Sequence, residues 1–500
     1  MTQHTIRFLL DDRLVEVEFP GPLGLEPNTT VLNYLRSVSG HKGVKEGCAE
    51  GDCGACTVVV AEPGEGGRLD YHAVDSCLLF LPMIHGKQLI TVENLAVIRE
   101  KQKVLHPVQQ FMVETGGSQC GYCTPGVVMS LFGLFKNHAD PNREIIEDAL
   151  TGNLCRCTGY QSILEAAERT GKATRSDHFS LNEPATVALL AAIMADRPTI
   201  EIRTDKHIFL KPFTIGEALR LRCEHPSANL VCGSTDVALR QTKKRECLQT
   251  IIDLSAIDEL KFFREEDDRF IIGAGLPLEQ VKKKSEGRLP ALFSILRVFG
   301  SLQIRNLATL GGNIGSASPI GDTIPLLIAY KAQILVRSAN TESAVGIEDF
   351  ITGYHQTALR PGELITAIVI PRPDPAARVA SYKVSKRKDL DISTVSAAFS
   401  LVLQHGIVSE IIMAFGGMAA IPRRAKLTEE FLTGKAWTRA IILEAMSVLS
   451  TEFTPVSDAR ADAFYRRSVC GRLLMKFFDP VRVVDPVRVG DPVRVVDLIN

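Results

Sequence analysis

The chain has 500 residues, 45% of them hydrophobic, enough for about three domains with a well-buried interior. A formal net charge of −1, with acids and bases interspersed, gives no electrostatic reason to expect a nucleic acid or an anionic membrane as partner. The opening stretch MTQHTIRFLLDDRLVEVEFP has no basic segment leading into a long apolar one, no 18-residue apolar span occurs, and VALLAAIMA (187–195) is too short to cross a bilayer, so a cytoplasmic protein is expected.

In chain order, TIRFLL and LVEVEF alternate like two strands of a hairpin joined at Asp11-Asp12, and TVLNYLRSV carries a Thr cap and helical apolar spacing. KEGCAEGDCGACTVVV (45–60) then crowds three cysteines and three glycines ahead of a β-branched run. With Cys77, residues Cys48, Cys53 and Cys56 make C-x4-C-x2-C plus a distant fourth, the spacing of the plant-type 2Fe-2S loop. Such a loop must turn successive N–H groups towards sulfur, and Gly47, Gly51 and Gly54 can take φ > 0 without a Cβ clash. CTVVVAE reads as a buried strand, and strands on one helix with this loop between describe a β-grasp ferredoxin domain over 1–95. A zinc site would favour paired C-x2-C knuckles, and a chain without an export signal disfavours disulfides.

QCGYCTPG and NLCRCTGYQS supply a second set, Cys120, Cys123, Cys155 and Cys157. Their surroundings are helical: Thr124 can cap and Pro125 begin PGVVMSLFGLFKNH, while REIIEDALTGN and QSILEAAERTGK show i, i+3, i+4 apolar spacing. The spacing alone leaves zinc open, but a second cluster beside a first makes an electron wire. Of the twelve cysteines, the remaining Cys223, Cys232, Cys247 and Cys470 read as small buried hydrophobes.

The stretches GCAEGDCGAC, QCGYCTPG and LCRCTGY resemble the two 2Fe-2S modules of the molybdenum hydroxylases, the xanthine dehydrogenase and aldehyde oxidase family, over residues 1 to about 170. The resemblance implies that all eight cysteines are iron ligands, that the helical module (96–172) faces a molybdopterin centre, with Gln119 and Cys157 near the pterin, and that the plant-type module faces a flavin.

Residues 173–205 loosen in pattern and read as a linker. From HIFLKPFTIGEALRL onward strands and helices alternate in α+β fashion. NLVCGSTDVAL looks like a strand, a small-residue turn and a helix start, where Gly233, Ser234 and Thr235 offer donors to a phosphate. Gly311-Gly312-Asn313 marks a second close approach or a tight turn, and neither a Rossmann fingerprint nor a P-loop occurs. VCGSTDV and RNLATLGGNIGSASPIGD are similar to the flavin-contacting segments of the family's vanillyl-oxidase-like (PCMH-type) FAD domain, implied here for 206–378. By position, Leu230, Val231, Cys232, Gly233, Ser234, Thr235, Asp236 and Val237, with Thr309, Leu310, Gly311, Gly312 and Asn313, would hold the pyrophosphate and ribityl chain. Phe299, Asp322, Ile365 and Lys383 match further FAD-lining positions, although Asp322 also reads as an N-cap and Lys383 as a solvated charge.

Residues 379–478 alternate like strands around Gly406 and Gly416-Gly417, then turn helical, resembling the family's α+β flavoprotein C-terminal domain. The hexapeptide DPVRVV/DPVRVG repeats three times in 479–500, too few copies for a solenoid, and is read as a tail without assigned function. The fold class is thus multidomain α+β.

A molybdenum-binding domain follows the flavin domain in single-chain family members, and this sequence stops before one. The resemblance therefore implies an iron–sulfur/FAD small subunit beside a large molybdopterin-binding partner in a heterodimer or higher heteromer, of the type found in bacterial xanthine dehydrogenases. It implies oxidation of hypoxanthine and xanthine to urate on the partner, with electrons passing through both clusters to FAD and on to NAD, and no catalytic acid or base on this chain. An aldehyde or N-heterocycle hydroxylase is the alternative within the class, and a colourless scaffold with two structural zinc sites the alternative outside it.

Overall fold

The computed structural model describes residues 4–479, the side chain of Arg99 apart, so most of the 479–500 tail lies outside the described residues. The chain divides into two compact units, Met1–Ile257 with Ser301–Ala308, and Asp258–Gly300 with Thr309–Asn500, a division that cuts through the region read as one FAD domain.

The first unit opens with β1 (Thr5–Leu10) and β2 (Arg13–Glu18), an antiparallel hairpin turning at Asp11, whose φ is +59°. Helix α1 (Val31–Ser37) follows, with the Thr30 side chain accepting from the Asn33 N–H as its cap. Strands β3 (Thr57–Pro63), β4 (Leu69–Asp75) and β5 (Gln88–Ile90) complete a sheet of order β2-β1-β5-β3-β4. Strand β3 explains the unbroken apolar run of its sequence. Val58 and Val60 enter the core shared with α1, whereas Val59 and Ala61 enter the core on the opposite face. Both faces are covered, so alternation disappears from the pattern.

After a small hairpin, β6 (Val97–Arg99) and β7 (Gln102–Val104), the helices α2 (Pro107–Glu114), α3 (Thr124–Asn137), α4 (Arg143–Leu150) and α5 (Gln161–Gly171) cover that opposite face. The expected Thr124 cap is corrected: Cys123 occupies the N-cap position without a side-chain bond, and the Thr124 hydroxyl meets Ser118 Oγ at 2.7 Å. The stretch read as a linker is also structured. Helix α6 (His178–Ile193) is capped by Asp177 and sends Phe179 and Leu190 into the second core. Asp177 holds it in place, bonded to Lys136 Nζ at 3.1 Å and His106 Nε2 at 3.3 Å, all three buried.

Strands β8 (Ile200–Arg203) and β9 (Ile208–Lys211), helix α7 (Ile215–Glu224), strand β10 (Asn229–Val231), helix α8 (Val237–Thr242) and strand β11 (Thr250–Asp253) build a sheet of order β10-β11-β9-β8. In the second unit come β12 (Phe263–Glu265), β13 (Arg269–Gly273), α9 (Leu278–Ser285) and α10 (Pro290–Arg297). Residues 301–308 return to the first unit with α11 (Leu302–Arg305), where the fully buried Arg305 makes a two-pronged bond to Asp148 on α4 at 2.7 and 2.8 Å.

The second unit resumes with α12 (Leu310–Gly315), α13 (Thr323–Ala329), β14 (Gln333–Arg337), β15 (Glu342–Gly346), α14 (Ile347–Phe350), β16 (Ile351–Gly353), β17 (Gln356–Thr357) and β18 (Leu364–Pro371). Its first sheet runs β12-β13-β18-β14-β15. A second sheet, β19 (Arg378–Val384), β20 (Val395–Gln404), β21 (Ile407–Gly416) and β22 (Arg423–Arg424), turns at Gly406 and packs on α15 (Lys426–Leu432), α16 (Arg439–Glu452) and α17 (Ala463–Phe478), with Phe399 stacked on Phe477 at 5.0 Å.

Small residues stand at i, i+4 and i+7 of helix α3: Gly133 lies against Ala73 and Val59 of the first sheet, Ser130 bonds Asn153, and Gly126 lies against Gly54. A Cβ on Gly126 would stand 2.1 Å from the Gly54 carbonyl oxygen, and that oxygen belongs to the first cysteine loop. Gly126→Ala is expected to destabilise the protein by ~1–3 kcal/mol through overpacking, despite the gain in helix propensity, and thermal unfolding beside the wild type measures it.

Candidate functional site

The first four thiols lie where α1 gives way to β3 and where β4 ends. Gly51 and Gly54 take φ of +76° and +64°, as expected, and Ala49 joins them at +54°. Gly47 differs: it is needed for space, since its Cβ would lie 2.7 Å from Cys53 Sγ. The turned backbone aims N–H groups at sulfur. Glu50 and Asp52 donate to Cys48 Sγ at 3.4 and 3.3 Å, and the Ala55 amide favours negative charge on the Cys53 sulfur.

The thiols are grouped in twos. Cys48 interacts with Cys53, and Cys56 with Cys77. The Cys53 thiol and the Glu50 and Asp52 amides pull the Cys48 thiol down to about 6, while its partner Cys53 is pushed up. In the second set Cys123 pairs with Cys155 and Cys120 with Cys157. Cys123 sits at the start of α3, and Cys155 and Cys157 between α4 and α5, where Thr158 Oγ1 reaches Cys155 Sγ at 3.2 Å. Among the described residues no three His, Cys, Asp or Glu side chains are grouped to hold one metal ion. Two pairs of thiols are what a diiron cluster requires, two sulfurs for each iron, and the donor chemistry therefore fits 2Fe-2S groups at both sets.

The two loops touch through backbone. The Leu154 N–H donates to the Cys53 carbonyl at 3.0 Å, one residue before Cys155, and a Cβ on Gly54 would stand 2.2 Å from the Gly152 oxygen. Cys56, Cys77 and Cys155 are buried, whereas Cys120 and Cys157 are exposed.

Sequence reasoning missed three residues here. Asp75 is wholly buried, accepts from Cys56 Sγ at 3.6 Å through Oδ1, and has no partner for Oδ2; burial and the nearby Cys48 push its carboxyl up to about 8. Asn153 and Gln303 are buried amides: Asn153 donates to the Gly54 carbonyl of the first loop, and Gln303 donates to Asn153. None of the three carries a spacing signal, because each matters only once distant segments meet.

The flavin residues implied by resemblance fall in both units. In the first, Leu230 and Val231 end β10, Cys232 to Asp236 form the turn, and Val237 begins α8. Gly233 has φ of +111° and its Cβ would strike the Leu307 oxygen at 1.8 Å, so this turn admits only glycine. The Ser234 hydroxyl, expected as a phosphate donor, donates to the Leu78 carbonyl. In the second unit Thr309 caps α12 by accepting from Gly312 N–H at 3.0 Å, and Gly311 donates to the Ala274 carbonyl at 3.1 Å with no room for a Cβ. Leu310 is buried, and Gly312 is exposed. Asn313 Oδ1 accepts from Thr323 at 2.6 Å, and Gly315 lies against Ile365 on β18, so Asn313, Asp322 and Ile365 gather around α12 and α13. Phe299 is half-buried beyond α10.

Asp322 stands at the N-cap position of α13, as its alternative reading had it, but makes no capping bond; its carboxylate accepts from Lys383 Nζ at 2.8 Å and Ser393 Oγ at 2.5 Å. The alternative reading of Lys383 is overturned. Lys383 is 2% exposed, so it is not a solvated charge. Of the four scattered cysteines Cys470 alone is buried as expected; Cys223 and Cys247 are exposed and Cys232 is half-buried, because they fall at element ends and not on core faces.

These features define an oxidoreductase-type carrier chain, with two thiol sets suited to 2Fe-2S groups and a separate glycine-rich α+β region. Family models match four stretches: a 2Fe-2S iron-sulfur cluster binding domain at 22–78, a [2Fe-2S] binding domain at 91–168, the FAD binding domain in molybdopterin dehydrogenase at 201–373, and the CO dehydrogenase flavoprotein C-terminal domain at 380–481. The chain is 32% identical to xanthine dehydrogenase of Emericella nidulans over 95% of its length and 30% identical to xanthine dehydrogenase/oxidase of Gallus gallus over 91%, but spans 38% of either relative. Among solved structures, a chain of carbon monoxide dehydrogenase from Hydrogenophaga pseudoflava matches with a TM-score of 0.52 and 28% identity, covering 55% of this chain and 96% of that one. The chain belongs to the molybdenum hydroxylase family and comprises its iron–sulfur and flavin modules.

The buried pair in the second unit gives a stability prediction. Lys383→Met leaves the Asp322 carboxylate uncompensated and is expected to cost ~3–5 kcal/mol in urea unfolding, and adding Asp322→Asn should recover part of that loss.

Proposed function

We propose that the chain is the electron-transfer subunit of a xanthine dehydrogenase, accepting electrons from a molybdopterin-bearing partner subunit during oxidation of hypoxanthine and xanthine to urate and delivering them to NAD in the cytoplasm. One observation carries the reading: eight cysteines stand as four thiol pairs, in two sets whose loops are joined by the Leu154 to Cys53 hydrogen bond. The groups supply one-electron carriage at the 2Fe-2S clusters and conversion between one-electron and two-electron chemistry at the flavin.

The residues of the chain position these groups. Cys48, Cys53, Cys56 and Cys77 would hold one cluster, and Cys120, Cys123, Cys155 and Cys157 the other, with amides of Glu50, Asp52 and Ala55 stabilising negative charge on sulfur in the first. The exposed Cys120 and Cys157 suit the side that meets the partner. Leu230 to Val237, Phe299, Thr309 to Asn313, Asp322, Ile365 and Lys383 would line FAD, in domains bounded at about 95, 172, 205 and 378. The names of the curated relatives favour purine as substrate over the aldehyde or N-heterocycle alternatives.

The isolated, loaded chain is expected to lose flavin and cluster absorbance on mixing with NADH, as electrons enter from the acceptor side. A chain holding iron, acid-labile sulfide and flavin but inert to NADH would exclude NAD as its acceptor. Cys56→Ser is expected to remove one of two paramagnetic species after dithionite reduction and to leave the other, and zinc in place of iron would sink the carrier reading altogether.

A further inference from the structure

The peptide between Gly54 and Ala55 is held at both ends. Its N–H, from Ala55, favours negative charge on the Cys53 sulfur. Its carbonyl accepts from the Thr57 N–H at 3.1 Å, from Thr57 Oγ1 at 2.7 Å, and from Asn153 Nδ2 at 3.1 Å. Asn153 comes from the other cysteine loop, two residues before Cys155. Its orientation is determined, because a carbonyl only accepts and so the amide nitrogen must face Gly54. On its far side Asn153 Oδ1 accepts from Ser130 Oγ at 2.6 Å and from Gln303 Nε2 at 3.1 Å. Asn153, Thr57, Ser130 and Gln303 are each no more than 2% exposed, so water does not compete for these bonds.

Hydrogen bonds in series polarise one another, and donors on a peptide carbonyl strengthen what its N–H donates. Donation to a cluster's sulfurs stabilises the more negative, reduced state and raises the potential. We propose that Asn153 is a positioning residue for the Cys48/Cys53/Cys56/Cys77 cluster: reaching across from the second thiol set, it fixes the Gly54–Ala55 peptide on the Cys53 sulfur and holds that cluster's reduction potential up. Ser130 and Gln303 keep Asn153 in that orientation. The effect favours electron flow from the second cluster to the first. The inference rests on the cluster reading given under Proposed function.

The test uses the full chain, assayed first for iron and acid-labile sulfide, then titrated potentiometrically with both clusters followed by electron paramagnetic resonance. Asn153→Asp removes the donor but adds charge, so the neutral Thr57→Val, which removes one donor to the same carbonyl together with an acceptor of Asn153 and changes no residue of the second cysteine loop, is titrated beside it. Both are expected to lower the potential of the first cluster and move the second less, with a smaller fall in the same direction for Ser130→Ala. Should Asn153→Asp fail to fold, Thr57→Val carries the test. Loaded variants whose first cluster titrates like the wild type, or whose two clusters shift equally, overturn this inference alone. A wild-type chain without iron and sulfide overturns the cluster reading and this inference with it.

Discussion

In the first unit, backbone meets backbone at Gly54. One face of that residue is closed by the Gly152 oxygen and Asn153, and its own carbonyl closes the space beside Gly126 on α3. A side chain at any of these positions would hold the segments apart by roughly a methyl group, and packed interiors do not absorb such a change without strain. Three segments far apart in sequence, the first cysteine loop, the start of α3 and the loop before Cys155, are brought together by this exclusion. The two thiol sets are neighbours because Gly54 and Gly152 let backbone approach backbone between their supporting loops.

What surrounds this contact is polar, which is unusual for so buried a place. Thr57, Ser130, Asn153 and Gln303 form a bonded chain, although Gln303 Oε1 is left without a partner. Buried amides of this kind are costly unless bonded, and once bonded they specify one arrangement more sharply than apolar contact does. Arg305, two residues along from Gln303, adds a charge-assisted anchor to Asp148. Residues 301–308 therefore belong with the cysteine modules physically, although they fall inside the stretch matched by the FAD-domain model.

The second unit handles its buried charge by another route. Lys383 on β19 and Asp322 at the head of α13 neutralise each other, and Ser393 satisfies the remaining carboxylate oxygen. Buried pairs of this kind often add little to stability compared with apolar residues of similar volume. Asp322 is followed by Thr323, whose hydroxyl donates to Asn313, one of the residues the resemblance had placed at the flavin.

The sequence by itself determined the local elements and the chemistry of sulfur. Thr30 as a cap, the hairpin at Asp11, the helices after each cysteine pair and the ligand spacings are all written within windows of about twenty residues, where period and turn chemistry act. Tertiary structure decided the rest, because the deciding contacts join residues distant in sequence. It folded α6 out of a stretch without clear pattern by giving Phe179 and Leu190 a core to enter, and it drew Lys383 inside by supplying Asp322. It also turned Asn153 from a loop residue of one thiol set into a support for the other, because a hydrogen bond depends on distance in space and spacing along the chain does not encode it.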